Sequence, residues 1–299
     1  LGIYRSADHF AWKADNLGYD VKGEMQFGYT RSVALGVEAM DVVAPAEDWQ
    51  LRGSEIGLAS FFLHRDFRDY YNRKGAQAYV ALHDGPSLSA TLGLGQERWQ
   101  PRATRDPWTL FRNDDAWRPN PVMDAGRFTL ATAAVRYDSR NDRDNPWTGW
   151  FVTAELEHGW SEHVTLGPAS AVARPPAAGP VPVAYTRGVL DVRRYNRLSP
   201  ETQLNLRLFA GGWLGGDPLP LERRFSLGGA GSLPGYEFRQ MTGGTGDPLS
   251  CSAGQALPGT PAQCDRVILV QAEFRGDLHL HLFGDWGAQS GGGGWSWSF

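Results

Sequence analysis

The sequence predicts an all-β protein: a transmembrane antiparallel β-barrel with one long loop folded into its lumen. Three observations predict it. Apolar and polar residues alternate with period two in segment after segment, each closed by turn residues. These segments run to about ten residues, whereas ordinary globular strands run to about five or six; repeated alternation of about ten residues is the signature of strands that cross a membrane. The connections alternate between long ones rich in Pro, Asp and Arg and short turns, which fits a barrel with its long loops outside.

The candidate strands open with 19–29, 32–43 and 54–65, and continue with 75–84 and 87–99. The connection 100–126 then leads to 127–138, which a tight "SRNDRDNPW" turn joins to 149–160. There Val152, Ala154 and Leu156 share one face, with Thr153, Glu155 and Glu157 on the other. The connection 161–182 leads to 183–196, and "RLSPE" turns the chain into 202–213. That segment sets Leu204, Leu206, Leu208 and Ala210 against Asn205 and Arg207. In 266–278, Ile268, Val270, Ala272 and Phe274 oppose Gln271, Glu273 and Arg275, and 279–289 is the last candidate. The total is about eleven strands. A sheet in hydrocarbon must close, because an open edge leaves backbone groups unpaired. Trp99, Trp150, Trp160 and Trp213, near strand ends, suit interfacial girdles. A soluble β-barrel or sandwich also alternates, but explains neither the strand length nor so polar an inner face.

A net charge of -4 argues against a nucleic-acid partner, which normally needs a basic face. No apolar run is long enough for a transmembrane helix. A start at Leu1 rather than Met predicts a processed or trimmed N-terminus. Cys251 and Cys264 flank a polar Gly/Pro/Ser-rich stretch without CxxC spacing or nearby histidines. A loop disulfide in an oxidising compartment fits them best, two unpaired thiols being the other reading.

Enzyme signatures are weak throughout. The stretch "GGAGSLPGYEF" at 228–238 completes neither phosphate-loop template, since Pro234 stands where a third glycine belongs and no Lys-Ser/Thr follows. Gly93 and Gly95 lie inside a strand, and Ser232 lacks the flanking glycines of a nucleophile elbow. His279 and His281 share a strand face without an evident third metal ligand. Carboxylates such as Asp138, Asp142, Asp144, Glu155 and Glu157 are numerous, but nothing in the sequence pairs them. No metal, cofactor or catalytic residue is implied.

The same stretch sits in a long connection between two strands, and connections that long are usually functional or disordered. Gly228, Gly229 and Gly231, the Pro234-Gly235 turn and the aromatics Phe225, Tyr236 and Phe238 argue for an ordered loop. Here the chain resembles the bacterial surface antigen superfamily of outer-membrane barrels. These include the barrel-assembly factor, the related translocation and assembly module, and the two-partner-secretion transporters. The superfamily's hallmark loop reads as a Gly-rich run followed by Val/Ile-Arg-Gly-Phe/Tyr, matched here at Leu233, Gly235 and Tyr236 but with Pro234 in place of the arginine. Its inner-wall F-x-D-x-G motif is matched by Phe283, Asp285 and Gly287. The run "VRYDSRNDRDNPWTGWFVTAELEHG" (135–159) is similar to the superfamily's strand–turn–strand, and "FRDYYNRKGAQAYV" (67–80) to a strand turn in its smaller members.

The resemblance implies a barrel of about sixteen strands, so residues 1–299 are expected to form a single outer-membrane barrel domain that is incomplete at the C-terminus. It is also open to extension before Leu1, and no periplasmic repeat domain is seen. Trp295, Trp297 and Phe299 only superficially resemble a terminal targeting strand. In such barrels an arginine of the loop is held against the wall aspartate, a charge-assisted contact. Asp285 therefore lacks its usual partner, and Arg239, Arg223 or Arg224 are the candidates to replace it. The implied function is insertion or translocation of other proteins at the bacterial outer membrane, with a client strand pairing at a weak seam. Partners would be outer-membrane lipid, client outer-membrane or secreted proteins, and periplasmic domains. The competing readings are an anchor or exporter for a separate enzymatic domain, and a passive pore.

Overall fold

A computed structural model describes residues 2–5, 17–47, 49–50, 53–104, 106–112, 114–171, 179–229, 231–232, 263–279 and 290–298. Among the described residues, eleven strands form one antiparallel meander in which each pairs with its neighbours in the chain. They are β1 (Gly2–Arg5), β2 (Leu17–Gly28), β3 (Arg31–Pro45), β4 (Tyr70–Asp84), β5 (Leu88–Pro101), β6 (Ala125–Asp138), β7 (Gly149–Thr165), β8 (Val181–Arg197), β9 (Thr202–Gly216), β10 (Arg266–His279) and β11 (Ser290–Ser298). The links β2–β3, β4–β5, β6–β7 and β8–β9 are short and share one rim. The longer connections, among them β3–β4, β5–β6, β7–β8 and β9–β10, share the other.

Nine of the predicted strands coincide with β2–β10, and the expected segment 54–65 does not. It forms a helix, α1 (Gly53–Leu63). The run "LASFFL" carries no polar alternation, and an unbroken apolar run cannot be told from a helix by period alone. The candidate strand 279–289 lies outside the described residues, apart from His279 at the end of β10. β1 and β11 complete the meander. No described helix is long and apolar enough to cross a membrane.

The two faces of the sheet differ in chemistry. Val33, Leu35 and Val37 of β3, Val80 and Leu82 of β4, Leu92 and Leu94 of β5, and Ile268 and Val270 of β10 are exposed large hydrophobics on one face. Two ion pairs on that face bracket the apolar belt: Arg31 with Asp84 at 3.2 Å, and Lys74 with Asp41 at 2.7 Å. The ten residue-to-residue steps of β4 from Lys74 to Asp84 span about 33 Å along the strand, or about 25 Å at a tilt of ~40°. That is the height of the apolar band of an outer-membrane barrel.

The opposite face is concave. Trp49, just beyond β3, stacks on Phe209 of β9 with ring centroids 4.2 Å apart. In a flat sheet these strands would lie about 29 Å apart, so the wall curls round to bring them together. Large rings lie over cross-strand glycines on this inner face: Tyr79 opposite Gly36, and Tyr185 opposite Gly159. Trp99 is fully buried on the same face, and Trp213 packs against its cluster, so neither belongs to an outer girdle. Trp150 and Trp160 are exposed on the apolar face, as expected of girdle residues.

Leu92 faces outward near the middle of the belt. Leu92→Arg is expected to destabilise the barrel in lipid by about 2–4 kcal/mol, measured by urea titration in vesicles. A change under about 0.5 kcal/mol would show that this face does not meet hydrocarbon.

Candidate functional site

After β9 the chain turns inward and runs along the concave face. Residues 219–229 are all buried. A 3-10 turn at Leu221–Arg223 carries the entry, and it places three consecutive charged side chains, Glu222, Arg223 and Arg224, out of water. Burying an ion costs several kcal/mol unless it is paired and hydrogen-bonded, so the partners decide what this segment does.

Arg223 is the best-partnered of the three. Its Nε donates to Glu157 Oε1 of β7 at 2.7 Å, and its Nη1 donates to the Tyr71 hydroxyl of β4 at 2.9 Å. The guanidinium lies 4.3 Å from the centre of the Trp99 ring of β5. The Tyr185 hydroxyl of β8 donates to the same Glu157 oxygen at 2.7 Å. One side chain from the loop thus bears on three strands directly and on a fourth through Glu157. Burial alone would lower the Arg223 pKa, but Glu157, with Tyr71 and Tyr185, more than reverses this and holds it well above its ordinary value. A second pair braces the aromatic floor: Arg73 donates to both Glu97 oxygens at 2.6 and 2.5 Å, and the Trp99 indole donates to Glu97 at 2.9 Å.

Arg224 pairs with Asp265 at 3.3 Å and donates to the Leu219 carbonyl at 3.0 Å. Glu222 differs from both neighbours. It is fully buried, and no side chain hydrogen-bonds its carboxyl group. Burial first, and the nearby Asp124 second, raise its pKa well above the ordinary carboxyl value. Asp124 itself ties three connections together. It accepts from the Gly167 amide at 2.6 Å, the Ser170 hydroxyl at 2.7 Å and the Leu221 amide at 3.1 Å.

Further along, Phe225 exchanges two backbone hydrogen bonds with Cys264, at 2.9 and 2.7 Å. Its ring fills the space over Gly211 of β9, where a Cβ would come within 2.7 Å of it. Glu47, beyond β3, accepts from the Ser226 hydroxyl at 2.7 Å and also from its amide. Gly228 and Gly229 take φ of 118° and 90°, a region that other residues rarely enter. The resulting turn brings the Ser232 hydroxyl 3.0 Å from the Gly228 amide and 3.0 Å from Gln50 Oε1. Gly231 lies so close to the Gln50 backbone that a Cβ would collide, and its carbonyl accepts from Arg207 at 3.1 Å. Gln271 of β10 donates to the Ser232 carbonyl at 3.0 Å. The glycine-rich run is therefore a close-packed turn against the wall.

Leu233, Pro234, Gly235 and Tyr236 of the loop motif, Phe283, Asp285 and Gly287 of the wall motif, and Cys251, Arg239 and His281 lie outside the described residues. Cys264 is buried, and no described cysteine is free. Of the candidate arginines, Arg223 occupies the inner face, on Glu157. In the sequence Glu157 is one carboxylate among many and Trp99 reads as a girdle residue, while nothing there marks Asp124, Glu47 or Gln50. Tyr71 and Glu157 share the inward register of their strands, and that period-two parity was the one available signal. The turn at 135–159 is also ordered by charge: Arg140 grips both Asp138 oxygens at 2.8 Å. Among the described residues, no group of three His, Cys, Asp or Glu is placed to hold a metal.

The Omp85 superfamily domain matches residues 18–288, which takes in nearly the whole meander together with the docked segment. The chain belongs to the Omp85 superfamily. Membership implies a β-barrel of an outer membrane, bacterial or organellar, and generally a role in assembling or translocating proteins rather than an enzymatic one. This is the superfamily that the loop and wall motifs resemble. No curated protein was found to match the chain.

Two outcomes are expected of the Omp85 barrel. Arg223→Ala leaves Glu157 buried without its cation and should cost about 3–5 kcal/mol. Urea unfolding in detergent, followed by tryptophan fluorescence, measures it, and a cycle with Glu157→Ala should return a coupling above about 1 kcal/mol. Additive effects would show that the contact holds nothing. Glu222 has a folded pKa above its unfolded one, so its contribution is complete below the unfolded value and is lost as pH rises through the folded value. Glu222→Gln should therefore melt above the parent at about pH 8 and match it at about pH 4. A parent that gains on the variant as pH rises contradicts the assignment.

Proposed function

We propose that this Omp85 barrel promotes insertion or translocation of other proteins at a bacterial outer membrane, with residues 219–232 as the internal brace of its wall. The observation that carries the reading is the contact of Arg223 with Glu157, Tyr71 and Trp99. A single loop cation tying β4, β5 and β7 keeps a curled sheet in shape while client strands engage elsewhere. Client recognition would follow strand addition, in which backbone hydrogen bonds supply affinity at an open sheet edge. The long-loop rim would face the exterior and the short turns the periplasm, as in other barrels of this kind. The match of the Omp85 domain supports this reading, and so does the buried run 219–229. That run occupies the concave face, where a passive pore needs open water. A barrel that anchors or exports a separate enzymatic domain would need the same brace, and no observation favours it.

The test reconstitutes the full chain in vesicles and follows insertion of a urea-unfolded client barrel by protease protection. The expected result is insertion several-fold faster than in empty vesicles, with most of the gain lost in Arg223→Ala. Equal rates with and without the protein would sink the proposal, and steady ion conductance alongside such equality would select the pore.

A further inference from the structure

A cleft of about 250 Å³ opens at the long-loop rim, apart from the concave face. Its floor includes Val43 and Tyr70, and its sides include Arg68, Arg102, Arg118 and Trp117. Strand register puts the floor on the lipid-facing side, since Val43 follows the parity of Val33, Leu35 and Val37, and Tyr70 that of Val80 and Leu82. Depth follows from the same register. The apolar belt ends at the Lys74–Asp41 pair, and Tyr70 lies about 13 Å further along β4, or about 10 Å along the membrane normal. That level falls in the headgroup layer just beyond the hydrocarbon.

The cleft's chemistry suits an anion with an apolar tail. Arg68, Arg102 and Arg118 put three positive charges around the cleft, and the guanidinium is the side-chain group best suited to phosphate. One carboxylate, Asp66, also lines the cleft. It is occupied by the Arg68 amide at 3.0 Å and the Tyr70 hydroxyl at 2.9 Å. Burial raises its pKa, which weakens its opposition to an incoming anion. Arg118 is steadied by Asp69 at 2.6 Å, and Arg102 by Asn72 at 2.5 Å.

Beside the cleft lies an apolar patch. Leu58, Phe61, Phe62 and Leu63 of α1 are exposed, as is Trp108 of the β5–β6 connection. Phe61 and Trp108 touch, with ring centroids 5.8 Å apart. His64, directly after α1, stacks on Trp117 of the cleft at 3.9 Å. Cleft and patch are thus continuous.

We infer that this cleft binds the phosphate headgroup of an anionic membrane lipid, with the α1 patch against the apolar part of the same molecule. The inference rests on the barrel spanning a membrane and not on the client activity proposed above.

The test uses the full chain in detergent, offered equal amounts of phosphatidylglycerol and phosphatidylcholine, with retained lipid read by native mass spectrometry. Phosphatidylglycerol should be retained several-fold over phosphatidylcholine. Arg68→Gln with Arg102→Gln should abolish the preference while leaving the melting temperature within a few degrees. Phe62→Ser with Leu63→Ser should reduce retention of both lipids, and inorganic phosphate at equal concentration should not displace the lipid. Equal retention of the two lipids by the parent overturns the inference without any variant. Displacement by inorganic phosphate overturns it too, reducing the cleft to a free-anion site. A preference that survives loss of the arginines places the lipid elsewhere and equally overturns it.

Discussion

A guanidinium held in the interior of a curled sheet is the constraint on which this molecule depends. Arg223 is buried, and a buried cation without a partner costs several kcal/mol, a large share of the net stability of most domains. Its presence therefore demands Glu157 at one edge, the Tyr71 hydroxyl at another and the Trp99 face beneath. Those three residues lie on different strands, so the demand is met only where the wall between β4 and β7 is curved. The remaining anchors, Glu47 and Gln50 on one side and Arg207 and Gln271 on the other, extend the same principle from β3 to β10.

Much of the wall was legible in the sequence because a strand's period is short and its two faces meet different media. Leu204, Leu206 and Leu208 alternate with Asn205 and Arg207 since one set meets lipid and the other the enclosed space. The reading failed where that contrast disappears. The second half of α1 is mostly apolar and so looked like a strand, because sequence alone does not show that Phe61 and Phe62 meet each other edge to face at a rim. Trp99 was misplaced for a related reason. An aromatic near a strand end suits an interface, and only the inward parity it shares with Glu97 puts it under Arg223.

The site was legible by type but not by partner. Gly228, Gly229 and Gly231 suggest a turn in the sequence; in the structure Gly228 and Gly229 take positive φ and Gly231 packs on the Gln50 backbone. Which carboxylate an arginine of this loop meets is a long-range fact. Glu157 is one of several acidic residues with inward parity, and its selection rests on how far the sheet has curled. Such a distance leaves no mark on local sequence.

The contacts of the docked segment also carry a statement about order in time. Ser226 reaches a residue 179 positions earlier in the chain, and Arg223 one 152 positions earlier. Closing loops of that length costs entropy that no single hydrogen bond returns, so such contacts gain only once intervening elements have brought their partners near. The brace therefore cannot guide the wall into its curve. It registers that the curve has been reached, and an incompletely curled wall would leave Arg223 with nowhere dry to go.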